Sequence, residues 1–335
     1  MPSQPSATPS EPWKIKRDLH GKPKSNGFDT KKASDVSGIA CEGISGYPRI
    51  GLLADDETQG VQIVVLPREG KLVAGDFIRL INNTHGDELL ELDAEGVAYA
   101  DGCFYVTGSH GRPRHSDTPE HRAKADAKAK ASRHVFRVRL DVSAVDKDGR
   151  LAGAVEITPS TKLAQFIKND PSLGPALDES IEKNGISIEG VAILDGNIWF
   201  GFRSPLLGKK AAILSLPLPA LFDGQEGQAK LHRVDLEKRG IRDLAVFDYG
   251  FLILAGPSQD PPGLGSVEAG DYQIFAWNGV AEHATKLTHQ DLTFGIQVKP
   301  EALLPLEMKG NTLRTLLFCD GPKEGGPRSI EIEMP

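Results

Sequence analysis

Residues 92–112 read LDAEGVAYADGCFYVTGSHGR, and this stretch decides the fold. An acidic residue and a glycine open a short apolar strand, an Asp-Gly turn follows, and a second apolar strand ends in a polar loop that carries histidine and arginine. Residues 188–203, IEGVAILDGNIWFGFR, repeat this order almost position for position. The repeat predicts a β-hairpin that recurs along the chain.

Weaker copies of the hairpin begin at Ser37, Asp243 and Glu301. Successive copies are about 58, 94, 54 and 58 residues apart, whereas four strands with their turns occupy about 40–50 residues. Each interval therefore has room for one four-stranded propeller blade and some insertion. The sequence predicts an all-β fold, a single β-propeller domain over 13–335 with five blades, or six as the alternative, and with helical insertions.

Two insertions explain the long interval. Residues 113–134 are rich in Ala and Lys and contain no Leu, Ile, Val, Phe or Met, so they predict an exposed, solvated arm without an apolar stripe to dock it. Residues 158–184 carry apolar side chains at helical spacing, which predicts helices packed on the rim of the sheets.

The two ends of the chain are expected to behave differently. The last blade is one strand short of four, and Trp13–Leu19 alternates as a strand should, so this segment is predicted to close the ring against the last blade. Residues 1–12 are rich in Pro and Ser and predict a disordered tail.

Composition argues against several classes of protein. The 335 residues include no stretch that resembles a membrane span or a secretory signal, and the net charge of −7 argues against nucleic-acid binding. The three cysteines, Cys41, Cys103 and Cys319, lie in or beside apolar strands without the spacing of metal ligands. They predict buried free thiols and a reducing, cytoplasmic location.

Several short runs together resemble a bacterial family known only as domain-of-unknown-function family 3616, from roughly residue 37 to the C-terminus. The runs are EGV at 95–97, GSHGR at 108–112, IEGV at 188–191, GFRSP at 201–205, GIRDL at 240–244 and LAGP at 254–257. This resemblance implies no activity. More distantly, the acidic-Gly entry to the strands is similar to metal-binding propellers of the gluconolactonase and paraoxonase type and to phytase-like esterases, an analogy of architecture alone.

Hairpin geometry predicts where the chemistry lies. The start of the first strand and the end of the second lie at the same end of an antiparallel pair, so their polar residues should meet at one mouth of the propeller. The first blade contributes Asp55 and Asp56 there. The predicted metal ligands are Glu95, Glu189, Asp243 and Glu301, and the predicted ligand-binding residues are Arg112, Arg203, Arg242 and Asp320.

Crowded carboxylates raise one another's pKa unless cations compensate them, and two interpretations stay open. In one, the acids hold calcium or magnesium, which prefer oxygen ligands. In the other, the arginines pair with the acids in a structural ring. His110 is the predicted general base, with a hydrogen-bonding loop residue as its alternative.

Two functional hypotheses follow from the charged mouth. The first is a metal-assisted hydrolase of an ester, lactone or phosphoester. The second is a non-catalytic module that binds a small anionic molecule or a protein partner.

Overall fold

Five antiparallel sheets stand round a central axis as the blades of a propeller, which confirms the predicted fold class and blade count. The computed structural model describes residues 11–23, 30–43, 45–114, 118–248, 250–259, 266–289 and 291–335. The innermost strand of each blade contacts the innermost strand of the next, and the fifth contacts the first. The ring is therefore closed.

The strands follow one another in chain order from blade to blade. The N-terminal segment has β1 (Lys14–Lys16), β2 (His20–Pro23) and β3 (Thr30–Lys32), and blade 1 has β4 (Val36–Cys41), β5 (Arg49–Asp55), β6 (Gly60–Arg68) and β7 (Lys71–Arg79). A hairpin of β8 (Thr84–His85) and β9 (Glu88–Leu89) leads to blade 2, with β10 (Ala94–Ala100), β11 (Cys103–Gly108), β12 (Val135–Leu140) and β13 (Val155–Ser160).

Blades 3 and 4 run from the innermost strand outward, whereas the outermost strand of blade 5 precedes its innermost strand in the chain. Blade 3 has β14 (Ser187–Leu194), β15 (Asn197–Ser204), β16 (Ala211–Pro217) and β17 (Lys230–Val234), and blade 4 has β18 (Gly240–Phe247), β19 (Gly250–Gly256), β20 (Gln273–Trp277) and β21 (Thr285–Lys286). Blade 5 has β22 (Thr288–His289), β23 (Lys299–Lys309), β24 (Thr312–Asp320) and β25 (Arg328–Glu333). The innermost strands are β4, β10, β14, β18 and β23.

The prediction that Trp13–Leu19 closes the last blade is wrong. Strand β1 pairs in parallel with β7, the outer strand of blade 1, and β22 supplies the fourth strand of blade 5. The segment nevertheless joins the first blade to the last. Trp13 is 6% exposed, its backbone N–H donates to the Pro327 carbonyl at 2.7 Å, and its indole N–H donates to the Ser329 hydroxyl at 2.8 Å.

The Ala- and Lys-rich insertion also differs from its prediction. Helix α1 (Pro119–Ser132) is docked on the propeller, because Ala125, Ala129 and Ala131 are buried. Alanine makes a face that a scan for large apolar side chains misses, and a helix that presents it can approach a sheet closely. Of the predicted tail, residues 1–12, the first ten lie outside the described residues.

The second insertion contains helices as predicted, although its first residues belong to β13. Helix α2 (Leu163–Asn169) buries Leu163 and Ile167, and short 3₁₀ turns follow. Helix α3 is Leu218–Phe222, and the 3₁₀ turns are Val142–Ala144, Gly174–Ala176, Ile181–Lys183 and Lys323–Gly325. No helix in the described part of the chain is long and apolar enough to cross a membrane. Cys41, Cys103 and Cys319 are buried and free, as predicted.

Every innermost strand has a β-bulge within its first three residues. The residue that the bulge leaves outside the pairing is at the same place in each blade: Ser37, Glu95, Glu189, Arg242 and Glu301. The next position is glycine in three blades, because a Cβ at Gly96 would lie 2.9 Å from Val191 of the neighbouring strand. Two positions after the bulge, each strand buries a branched apolar residue: Ile39, Val97, Val191, Leu244 and Leu303.

Trp13 tests how the N-terminal segment stabilises the ring. Trp13→Ala removes a buried indole and its hydrogen bond to blade 5, so we expect the free energy of unfolding to fall by about 3–5 kcal/mol. Lys14→Ala, at the exposed neighbouring position, should change it by less than about 0.5 kcal/mol. Denaturant titration of both variants measures this, and an unchanged midpoint for Trp13→Ala would show that the contact is dispensable.

Candidate functional site

The five bulges place four charged side chains at one end of the channel. A bulged residue is left out of the ladder and its side chain is re-aimed, which is why bulges recur beside functional sites. Three of the five blades carry glutamate there, and the fourth carries Arg242 rather than the predicted Asp243. The sequence alignment of the blade 4 repeat was thus wrong by one residue.

Arg242 is shared by two of these glutamates. Its Nε lies 3.0 Å from Glu189 Oε2 and donates to Glu301 Oε2 at 2.7 Å, and its terminal nitrogen also donates to Glu301. Arg203 at the end of β15 donates to Glu189 Oε1 at 3.2 Å. All four side chains are buried. Around Glu189 and Glu301 the mouth is therefore an ion-pair network, the second of the two predicted interpretations.

Asp243 has a different place from the one predicted for it. It occupies the position that is glycine in blades 1 to 3, and its carboxylate bridges two innermost strands by accepting hydrogen bonds from the amides of Leu244 and Leu303, each at 2.7 Å. Burial raises its pKa to about 8 although these bonds oppose the shift. Both oxygens are already engaged, so Asp243 leaves the set of candidate metal ligands.

Glu95 does not share in the ion-pair network. Its carboxylate makes no hydrogen bond or ion pair with any described residue, and it lies instead beside Asp56 and Asp93. One oxygen from each of the three lies within 4.8 Å of the other two. The sequence predicted Asp56 as a residue of the mouth. It did not predict Asp93, which lies two residues before the bulged Glu95 and just outside the strand, because only the acid within the repeat was considered.

The environment of these three carboxylates disfavours their charge. Burial is the main cause that raises the pKa of Glu95 and of Asp56 well above the ordinary range, and neighbouring carboxylates add to it. Burial also raises the pKa of Asp93 to about 6, against a hydrogen bond from the Ser109 hydroxyl. Asp56 Oδ1 is buried and has no hydrogen-bond partner among the described residues. Protons or a cation must therefore compensate the cluster.

A cavity of about 270 Å³ opens onto the three carboxylates. Its lining also carries the basic side chains Arg112, Arg114, Lys128 and Arg203. Helix α1 supplies Lys128, which pairs with Glu91 at 3.1 Å, and Asp126, which pairs with Arg112 at 2.8 Å. The docked insertion thus lines part of a cavity that carries both acidic and basic side chains.

His110 is not at this cavity, which corrects its prediction as the general base. The residue is fully buried, its backbone has φ 56°, and its Nδ1 lies 3.1 Å from the Gly108 carbonyl. Ser109 and Gly111 line the cavity on either side of it, but His110 does not. Burial lowers its pKa to about 4, so the ring is a neutral part of the loop packing.

Asp320 also lies outside the cavity lining. It forms an ion pair with Lys299 at 3.0 Å and an isolated β-bridge with Asp35, at the seam between blades 5 and 1. Of the predicted site residues, Glu95, Glu189, Arg112 and Arg203 line the cavity, and Arg242 and Glu301 support it from the channel.

Comparisons with known proteins give a family and a set of distant folds. The family described as "Protein of unknown function (DUF3616)" matches residues 47–326. No curated protein matches the chain.

Three similar solved structures illustrate the fold. A GH43 beta-1,3-galactosidase has 10% identity and a TM-score of 0.42 over 97% of this chain and 59% of its own. A bifunctional GH43-CE protein of Bacteroides eggerthii has 10% identity and a TM-score of 0.45 over 93% and 34%. The RS223 beta-xylosidase has 11% identity and a TM-score of 0.40 over 89% and 91%. The chain thus spans about three fifths and one third of the first two, and such low scores carry no information on its activity.

Removing the shared arginine tests the ion-pair network. Arg242→Met leaves Glu189 and Glu301 buried with less compensation, so we expect a loss of about 3–5 kcal/mol in unfolding free energy at pH 8. The loss should shrink at pH 5, where Glu301, whose pKa burial raises to about 7, can take up a proton instead. Arg137→Met, which breaks the half-exposed pair with Asp223, is the matched control and should cost less than about 1 kcal/mol. A loss independent of pH would contradict the network.

The raised pKa values predict how stability depends on pH. Asp55 and Asp243 have pKa values of about 8 through burial, against about 3.9 in an unfolded chain, so the folded state binds more protons between pH 4 and 8. The free energy of unfolding should therefore fall as pH rises through this range, when no divalent cation is present. Glu95→Gln removes one such titration and should flatten the profile. Denaturant titrations from pH 5 to 8 in chelator measure this, and stability that rises with pH would be the contrary result.

Proposed function

The chain belongs to the family described as "Protein of unknown function (DUF3616)", and we propose that this member is a metal-assisted hydrolase of small anionic esters. The observation that carries the proposal is the group of Asp56, Asp93 and Glu95, which lines a cavity and forms no ion pair with an arginine of the described part of the chain. The same channel mouth neutralises Glu189 and Glu301 with Arg242. The contrast between the two groups supports a ligand role for the first.

The donor set fits calcium or magnesium. All three donors are carboxylates, the ligand type that these hard cations prefer. Two charges 4.8 Å apart repel each other by roughly 3–4 kcal/mol at an effective dielectric constant of 20, so three ionised carboxylates are costly together without a cation. Asp56 Oδ1 is buried without a hydrogen-bond partner among the described residues, so its lone pairs are available to a cation. Glu95 keeps its place from the predicted ligand set, and Asp56 and Asp93 replace Glu189, Asp243 and Glu301.

The acidic and basic side chains of the lining suit the parts of an anionic ester. A bound cation would polarise the ester oxygen and lower the pKa of a bound water. Arg112, Lys128 and Arg203 line the same cavity as the carboxylates and would hold the anionic group, since guanidinium groups pair well with phosphate and carboxylate. Apolar contributions to the lining are few, chiefly Pro113, Ile181 and Ile186, which favours a polar substrate.

The alternative is a non-catalytic module that binds a small anion in the same cavity. One observation favours it: with His110 buried elsewhere, the described lining offers no histidine to move a proton. Metal-bound water can serve without one, so turnover separates the two functions.

Cation binding is the first test. Isothermal titration with calcium and with magnesium at pH 7 should show one site, with protons released as the raised pKa values of the carboxyls fall. Asp56→Asn and Glu95→Gln should each weaken binding by about tenfold or more. Asp223→Asn, which removes a carboxylate that lies outside the cavity and pairs with Arg137, should bind as the wild type does. Equal binding by all four proteins would refute the site.

Turnover is the second test. With the cation bound, a panel of phosphomonoesters, carboxylate esters and lactones should include substrates hydrolysed by the wild type and not by Glu95→Gln. Lys128→Met should raise KM more than it lowers kcat, because Lys128 lines the cavity as a holder of the anionic group and not as a ligand of the cation. Stoichiometric cation binding without hydrolysis of any member of the panel would favour the binding module.

A further inference from the structure

A second cavity lies in the channel on the other side of the apolar layer, and we propose that it binds the long hydrocarbon chain of a lipid-like molecule. Its volume is about 870 Å³, within the usual range of small-molecule sites. Its lining takes residues from all five innermost strands, and none of the charged side chains at the bulges reaches it. The proposal is independent of the cation site.

The deep end of this cavity is apolar. It is formed by the branched residues two positions after the bulges, all of which are at most 4% exposed: Ile39, Val97, Val191, Leu244 and Leu303. The carboxylate of Asp243 borders the cavity, but both of its oxygens accept backbone hydrogen bonds. The deep end therefore favours a ligand end without polar groups, since an unpaired polar group buried there would be unfavourable.

Small residues leave the cavity hollow. The position after the branched layer is Ala40, Ala98, Ala192 and Ala245 in four blades and Leu304 in the fifth. Along β23 the cavity runs from Leu303 to Met308, which is about 17 Å at the rise of a β-strand. A deep cavity of this length with apolar walls suits an extended chain better than a compact polar metabolite.

The lining also carries Met308, the acid Asp248, and Arg49 and Glu307, which already have partners. Met308 is 46% exposed at the end of β23, and flexible methionines adapt to varied apolar ligands. The Arg49 guanidinium donates to the carbonyls of Pro305 at 2.7 Å and Gly43 at 2.8 Å, and Glu307 pairs with Arg314 at 3.0 Å. The hydrocarbon chain of the ligand, rather than a charged head group, should thus determine binding.

Fluorescence of the neutral apolar dye Nile red tests the proposal on the full chain. The wild type should bind the dye at one site, and oleyl alcohol and oleate should displace it at similar concentrations. Ala245→Leu and Val246→Trp both fill the cavity and should weaken dye binding by about tenfold or more. Ala281→Leu adds the same group at an exposed position and is the matched control.

Thermal unfolding of each variant separates loss of the site from loss of the fold. If both cavity variants unfold as cooperatively as the control and still bind Nile red equally well, the dye lies elsewhere and the proposal fails. Displacement by oleate but not by oleyl alcohol would also overturn the proposal, because this result would show that the site recognises an anion instead of a hydrocarbon chain. Glu95→Gln should bind the dye as the wild type does, so failure of the cation site leaves this result unaffected.

Discussion

The sharing of Arg242 between Glu189 and Glu301 is the interaction on which the channel mouth depends. Buried carboxylates pointing at one axis destabilise a fold unless each has a partner. Arg242 pairs with both Glu189 and Glu301, and Arg203 is a second partner of Glu189. Glu95 lies outside its reach, in the company of Asp56 and Asp93. The arrangement divides one charged mouth into a half joined by ion pairs and a half whose three carboxylates we propose as cation ligands.

A repeated backbone irregularity creates this arrangement. Each innermost strand carries its bulge at the same place, so five side chains leave the ladder at one level of the channel. Directly after that level pairing resumes, and branched residues such as Val97 and Leu244 are buried. The channel therefore changes from charged to apolar within two residues, which separates the proposed cation site from the lower cavity.

Hairpin repeats predicted the propeller, its five blades and the end of the channel where Glu95, Glu189 and Arg203 meet, because strand direction alone fixes those features. Side-chain choice within a repeat was less predictable. A bulge shifts the alternation of side chains between the two faces of a strand by one residue. Arg242 therefore occupies the bulge position that the sequence predicted for Asp243. Burial of His110 and docking of α1 through Ala129 depend on tertiary packing that no local pattern contains.

The central claim is that Asp56, Asp93 and Glu95 hold a divalent cation, and a crystal grown with manganese would test it most directly. Manganese accepts the same oxygen ligands and gives an anomalous signal that locates it without ambiguity. We expect one strong peak among the three carboxylates, beside the cavity and away from Arg242. A strong peak at Glu301 or Asp320 instead, or none at the mouth, would contradict the account.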